Sequence, residues 1–148
     1  MSNSKKVNEN LSIAGQVTPE ELQQAAQLGF KSVLNLRSPD EVGVLSDEQQ
    51  QTEDAGLEYA NVPLKASESN RELTEVAIKT LDDLPKPVLI HCGAGARAGG
   101  IALIATAINQ GLTYEQIALK AQELGIDLEQ PHLKQFIQEN YTAQQNQK

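Results

Sequence analysis

The stretch "PVLIHCGAGARAGGIALIATAI", Pro87 to Ile108, decides the reading of this chain. A short apolar run, Val88 to His91, ends at Cys92, the one cysteine of 148 residues. Glycine and alanine follow as far as Arg97, and a second apolar run begins at Ala98. The first run has no polar alternation, as expected of a central strand buried on both faces. The second, from about Ala98 to Gln110, is apolar on nearly every side and reads as a buried helix stopped by Gly111. A thiol therefore stands at the carboxyl end of a central strand, where open α/β sheets place their ligands.

The loop has a chemical logic. Glycines let backbone N–H groups turn inward to form an anion nest. The following helix points its positive end at the same place. Arg97 adds a planar fork matched to phosphate or sulfate oxygens. All three favour thiolate over thiol, so Cys92 is expected to be a nucleophile, with Gly93, Ala94, Gly95, Ala96 and Ala98 lining the anion site through their backbone.

Outward from this segment, strand and helix signals alternate. "LSIAGQ", Leu11 to Gln16, reads as a short edge strand. Thr18, Pro19 and Glu21 open a helix as N-cap, first position and capping box, and Gly29 closes it. "KSVLNLR", Lys31 to Arg37, is a strand. Ser46, Asp47 and Gln49 start a helix that Gly56 stops. "LEYANVPL", Leu57 to Leu64, is the next strand. Ser69 to Glu72 reads as a capping box, followed by a helical face of Leu73, Val76, Ala77, Leu81 and Leu84 that Pro85 and Pro87 end. Thr113 and Gln116 box a helix ending near Gly125, and a last helix spans about Pro131 to Tyr141. The expected architecture is α/β: one domain over 11–141, a mainly parallel sheet flanked by helices, between a disordered tail at 1–10 and a polar tail at 142–148.

Composition narrows the function. Only 3% of the residues are aromatic, so the core is aliphatic. The formal net charge of -8 repels phosphate backbones, and no basic patch offsets it, so no nucleic-acid partner is expected. The longest apolar stretch, "IALIATAI", is too short to span a bilayer, and the N-terminus has no apolar segment of the secretory kind. A lone cysteine forms no internal disulfide, which fits a reducing, cytoplasmic setting with no membrane partner. One Cys and scattered histidines make no zinc site, so no metal and no cofactor are expected. Gly93, Gly95 and Ala98 match the dinucleotide fingerprint loosely, but no strand follows Gly111 to complete the unit.

"HC", a glycine-rich loop and Arg, after a buried strand and before a buried helix, resemble the cysteine-phosphatase signature. "LSIAGQVTPEELQQAAQLGFKSVLNLR", "YANVPL" and "PVLIHCGAGARA" together resemble the phosphatase-like domain of the beta-lactamase-hydrolase-like proteins, over roughly Leu11 to Tyr141. The resemblance implies a cysteine-phosphatase-like topology. It places Cys92, Gly95 and Arg97 in the anion pocket, with His91 orienting the loop.

The chain also departs from the phosphatase pattern. Four residues separate Cys92 from Arg97, one fewer than cysteine phosphatases usually have. The shorter loop is the usual size in rhodanese-type sulfurtransferases, where it cradles a persulfide, though Gly93 lacks the basic residue often found there. Ala98 stands where phosphatases place Ser or Thr. Their upstream Asp general acid has no counterpart in "KASESN", which offers only Glu68.

Three functions stay open: phosphomonoester hydrolysis through Cys92, sulfur transfer from a sulfur-donor substrate through a Cys92 persulfide, or an inactive module that binds phosphorylated ligands. Arg37 and Asp40, in "NLRSPDE", either contact substrate or hold their loop, with Ser38 capping the next turn in the simpler reading. His132 is expected at the surface. Glu48, Glu53, Asp54, Glu72, Glu75, Asp82 and Asp83 are expected on solvated helix faces.

Overall fold

In the computed structural model, which describes residues 4–146 and side chains as far as Tyr141, five strands form one sheet in the order β1-β2-β5-β3-β4. The strands are β1 (Ser4–Lys6), β2 (Leu11–Ala14), β3 (Ser32–Asn35), β4 (Glu58–Asn61) and β5 (Val88–His91). β2, β5, β3 and β4 are parallel, and β1 runs antiparallel to β2. The expected mainly parallel α/β sheet is thus present, with β5 at its centre and every β5 residue buried.

Among the described residues, six helices flank the sheet: α1 (Pro19–Gln27), α2 (Glu48–Asp54), α3 (Arg71–Asp83), α4 (Ala96–Gln110), α5 (Tyr114–Leu124) and α6 (Pro131–Asn146). Capping chemistry sets their ends. Thr18 and Glu21 form one capping box and Thr113 and Gln116 another. α4 is buried from Arg97 to Ala107 and packs on β2, β5, α3, α5 and α6. Its apolar faces close the larger core with Leu34, Leu36, Ile90, Leu64 and Leu133. A smaller core under α1 joins Leu22, Val33, Leu57 and Leu89.

Four expectations need correction here. β2 is an interior strand, because β1 covers the side of it away from β5. Residues 4–6 therefore belong to the sheet and not to a disordered tail, and Val7 is buried beside them. The N-cap of α3 is Asn70, whose side chain accepts from the Leu73 N–H, so the turn is not a Ser69 box. The buried stripe of α3 runs through Ala77 and Leu81, with buried Leu84 as the extended C-cap, and Val76 lies off it, 49% exposed. Val76 precedes Ala77 by one residue, about 100° around the helix and away from the core.

The chain continues as helix past Tyr141 to Asn146. Among the described residues, no helix is long and apolar enough to cross a membrane.

Candidate active site

β5 delivers His91 and Cys92 to the carboxyl edge of the sheet, and the loop turns there into α4. Gly95 makes the turn at φ 98°, in the left-handed region that glycine adopts without a Cβ penalty. The turn aims two backbone donors at one atom: the N–H groups of Gly95 and Ala98 donate to Cys92 Sγ at 3.1 and 3.4 Å. Cys92 is fully buried. Ala94, Gly95 and Ala96 line a cavity of about 240 Å³ together with Lys5, Gly15 and Asp127.

Arg97 lies in the first turn of α4, 6% exposed. Its Nη1 donates to Glu41 Oε2 at 2.8 Å and to the Leu64 carbonyl at 2.8 Å, and its Nη2 donates to Glu41 Oε1 at 3.0 Å. Hydrogen bonding to Glu41 raises the Arg97 pKa against the opposing effect of burial, and Cys92 adds to the rise. The reciprocal effect holds Glu41 far below the usual carboxylate range, at about 2, chiefly through Arg97, with burial opposing and the Ser38 N–H and Arg37 assisting. Glu41 is thus a carboxylate at neutral pH and does not act as a proton donor there.

Arg37 stands beside Gly93, 8% exposed. It donates to Glu41 Oε1 through Nε, to Gln16 Oε1 through Nη1 and to the Val42 carbonyl through Nη2. Asn61 secures the same strand exit by donating to the carbonyls of Asn35 and Arg37. Asp40 accepts from Ser38 Oγ within its own turn.

His91 is fully buried, and its Nε2 meets Glu48 Oε2 at 2.5 Å. Glu48 is 2% exposed, which corrects its expected place on a solvated face. It sits in the first turn of α2, where the helix dipole favours a carboxylate, and Gln16 Nε2 donates to its other oxygen at 3.0 Å. His132 is likewise buried, 1% exposed, and not at the surface. Its Nδ1 is 2.9 Å from Gln130 Nε2, and burial followed by the charge of Arg97 lowers its pKa.

The structure therefore gathers Cys92, the 93–98 loop, Arg97, His91 and Arg37. It places Glu68 on an exposed bend, paired with Lys65 at 3.1 Å. Three residues at the site were missed in the sequence: Glu41, Glu48 and Gln16. Only Glu41 left a signal, four residues after Arg37, and that spacing matters only in a helix or tight turn. Among the described residues, no group of three His, Cys, Asp or Glu side chains is placed to hold a metal ion.

Comparison with known proteins gives a consistent set. The family model described as "Beta-lactamase hydrolase-like protein, phosphatase-like domain" matches residues 3–113. The beta-lactamase hydrolase-like protein of Xylella fastidiosa (strain Temecula1) is 30% identical over 129 residues, covering 82% of this chain and 29% of the relative. That of Agrobacterium fabrum is 29% identical over 131 residues, covering 83% and 29%. The chain thus spans under a third of the length of the curated relatives it matches.

Among solved structures, a candidate phosphatase (nma1982) from Neisseria meningitidis z2491 superposes with a TM-score of 0.70 at 27% identity, covering 84% of this chain and 89% of that one. TpbA of P. aeruginosa, solved in complex with pTyr, gives 0.69 at 17% identity over 87% and 78%, a likeness of fold.

Proposed function

The chain belongs to the family of the phosphatase-like domain of the beta-lactamase hydrolase-like proteins, and from that premise we propose that it is a cysteine-dependent phosphatase acting on phosphomonoesters. The observation that carries this reading is the convergence of the Gly95 and Ala98 N–H groups on Cys92 Sγ beside the Arg97 guanidinium. Donors so placed stabilise a thiolate and, once it attacks, the oxygens of the phosphoryl group.

The Cys92 thiolate attacks phosphorus in line with the ester oxygen. The S–P bond forms as the P–O bond breaks, and the electron pair leaves with the alkoxide or phenoxide. Water then hydrolyses the phosphocysteine, releasing phosphate and restoring the thiol. Arg97 and the 93–98 backbone hold the phosphoryl oxygens, His91 supports the loop, and Arg37 braces Gly93. Glu68 is the acid available upstream, and it stands on an exposed bend paired with Lys65. Esters whose leaving group needs little protonation therefore suit the site best, which means aryl phosphates such as phosphotyrosine.

A second reading is favoured by one observation: four residues separate Cys92 from Arg97, a shorter loop that suits a smaller nest around the outer sulfur of a persulfide. Rhodanese-type transfer would use that nest. The Cys92 thiolate attacks the outer sulfur of thiosulfate, the S–S bond breaks, sulfite leaves, and the persulfide passes to an acceptor thiol.

Intact mass after separate incubation with thiosulfate and with an aryl phosphate, with Cys92→Ser alongside, separates these chemistries. Phosphate release that vanishes in the variant is the expected result. A Cys92-dependent persulfide without phosphate release makes the protein a sulfurtransferase. Neither product leaves a module that binds phosphorylated ligands without turnover.

A further inference from the structure

The two ends of the 91–97 loop are tied by a chain of side chains outside the loop itself. His91 Nε2 meets Glu48 Oε2 at 2.5 Å. Gln16 Nε2 donates to Glu48 Oε1 at 3.0 Å, and Arg37 Nη1 donates to Gln16 Oε1 at 2.8 Å. Arg37 Nε donates to Glu41 Oε1 at 3.1 Å, and Arg97 donates to both oxygens of Glu41. Five elements contribute: the β5 end, α2, the β2 exit, the β3 exit and α4. Every link is a charge-assisted or amide hydrogen bond in a largely buried setting, where such bonds strengthen and polarise one another.

We propose that Glu48, Gln16 and Glu41 are positioning residues that act as one unit, fixing His91 at the start of the anion loop and Arg97 at its end. Gln16 is the hinge of the unit. Its amide is the one group that both accepts and donates along the chain, so it passes orientation from the Glu48 carboxylate to the Arg37 guanidinium. Gln16 is held in turn by its own backbone, whose N–H donates to the Gly93 carbonyl at 3.1 Å. A shift of α2 is thereby felt at Arg97, although Glu48 and Arg97 share no direct bond.

This rests on Cys92 being the working nucleophile, and the test reads that thiol directly, whatever the protein turns over. The rate of Cys92 alkylation by iodoacetamide is followed by intact mass against pH for Glu48→Gln, Glu41→Gln and the double variant. The same three are then made in a Gln16→Ala background. With one cysteine in the chain, subtracting the mass shift of a matching Cys92→Ser control leaves the alkylation of Cys92. The expected result is a non-additive double variant, coupled by about twofold or more, the low end for residues joined in one network. In the Gln16→Ala background the same pair becomes additive. Additive effects with Gln16 present overturn the proposal, as does coupling that survives its removal.

Should buried Glu48→Gln fail to fold, Gln16→Ala, changed at a half-buried position, is read alone by the ¹⁵N shifts of the His91 ring and Arg97 Nε. Movement at both ends is expected. Movement at one end or neither overturns the proposal.

Discussion

Glu41 accepts from both Nη atoms of Arg97, at 2.8 and 3.0 Å, across 56 positions of sequence. The pair joins the β3 exit to the first turn of α4 and leaves Glu41 with a pKa of about 2, against an ordinary 4.5. A depressed carboxylate stabilises the fold fully above its unfolded pKa, and the contribution is lost as pH falls through the folded one. Stability should therefore decline as pH drops from about 4.5 toward 2, and Glu41→Gln should flatten that limb while lowering stability at neutral pH. Urea melts of both proteins across this range measure it. An unchanged limb in the variant would mean that other carboxylates carry the acid transition.

Arg97→Lys keeps the charge and removes the planar fork. A lysine cannot bond both oxygens of Glu41 and the Leu64 carbonyl while facing Cys92. The expected fall in kcat/KM for an aryl phosphate is on the order of a hundredfold, the scale of losing one preorganised donor. A variant that retains full kcat/KM would show that the guanidinium does not recognise the phosphoryl oxygens.

Gly100→Ala sets a helix preference against a close contact. Alanine gains about 1 kcal/mol over glycine inside a helix. Its Cβ would stand 2.3 Å from Gln130 Oε1, the acceptor for the Leu133 N–H. Displacing that amide also breaks its bond to His132 Nδ1, in a histidine whose Nε2 already has no partner among the described residues. Two buried hydrogen bonds and overpacking outweigh the propensity gain, for a net loss of about 1–3 kcal/mol. Thermal or urea denaturation of the variant tests the sign.

A chain that starts at Val7 lacks β1. It loses the antiparallel ladder from Ser4–Ala14 to Lys6–Ser12 and the bond from Lys5 Nζ to the Leu124 carbonyl. The expected cost is about 1–3 kcal/mol, from a few net hydrogen bonds. The uncovered side of β2 would also promote self-association, visible in sedimentation. Unchanged stability and a monomer would return these residues to the status of a tail.

The parallel sheet, the caps of α1 and α5 and the Cys92 loop were legible because each is written in local sequence. Thr18 with Glu21 and Thr113 with Gln116 signal caps within four residues, and an unbroken apolar run marks β5 as central. The misread residues depend on partners far along the chain. Glu48 looks like any surface glutamate until His91, 43 positions away, is placed against it. His132 is covered only once α6 docks on α4. A buried charged or polar group is stable only when paired, and the pairing exists only in the fold. β1 has no apolar alternation, since "SKK" is the half-covered rim of the sheet. Its strand state comes from β2, not from its own propensity.

The burial of α4 has a consequence for hydrogen exchange. The amides of Ile101 to Ala107 sit inside the domain on all sides, so they should exchange only through global unfolding, while exposed bends such as 66–68 exchange freely. β5, at the middle of the sheet, belongs to the same slow set. The 92–95 turn is thus strung between the two most persistent segments of the domain. On the proposed reading of this turn as an anion nest, it is preset before any ligand arrives, and an oxyanion would meet donors that need no ordering.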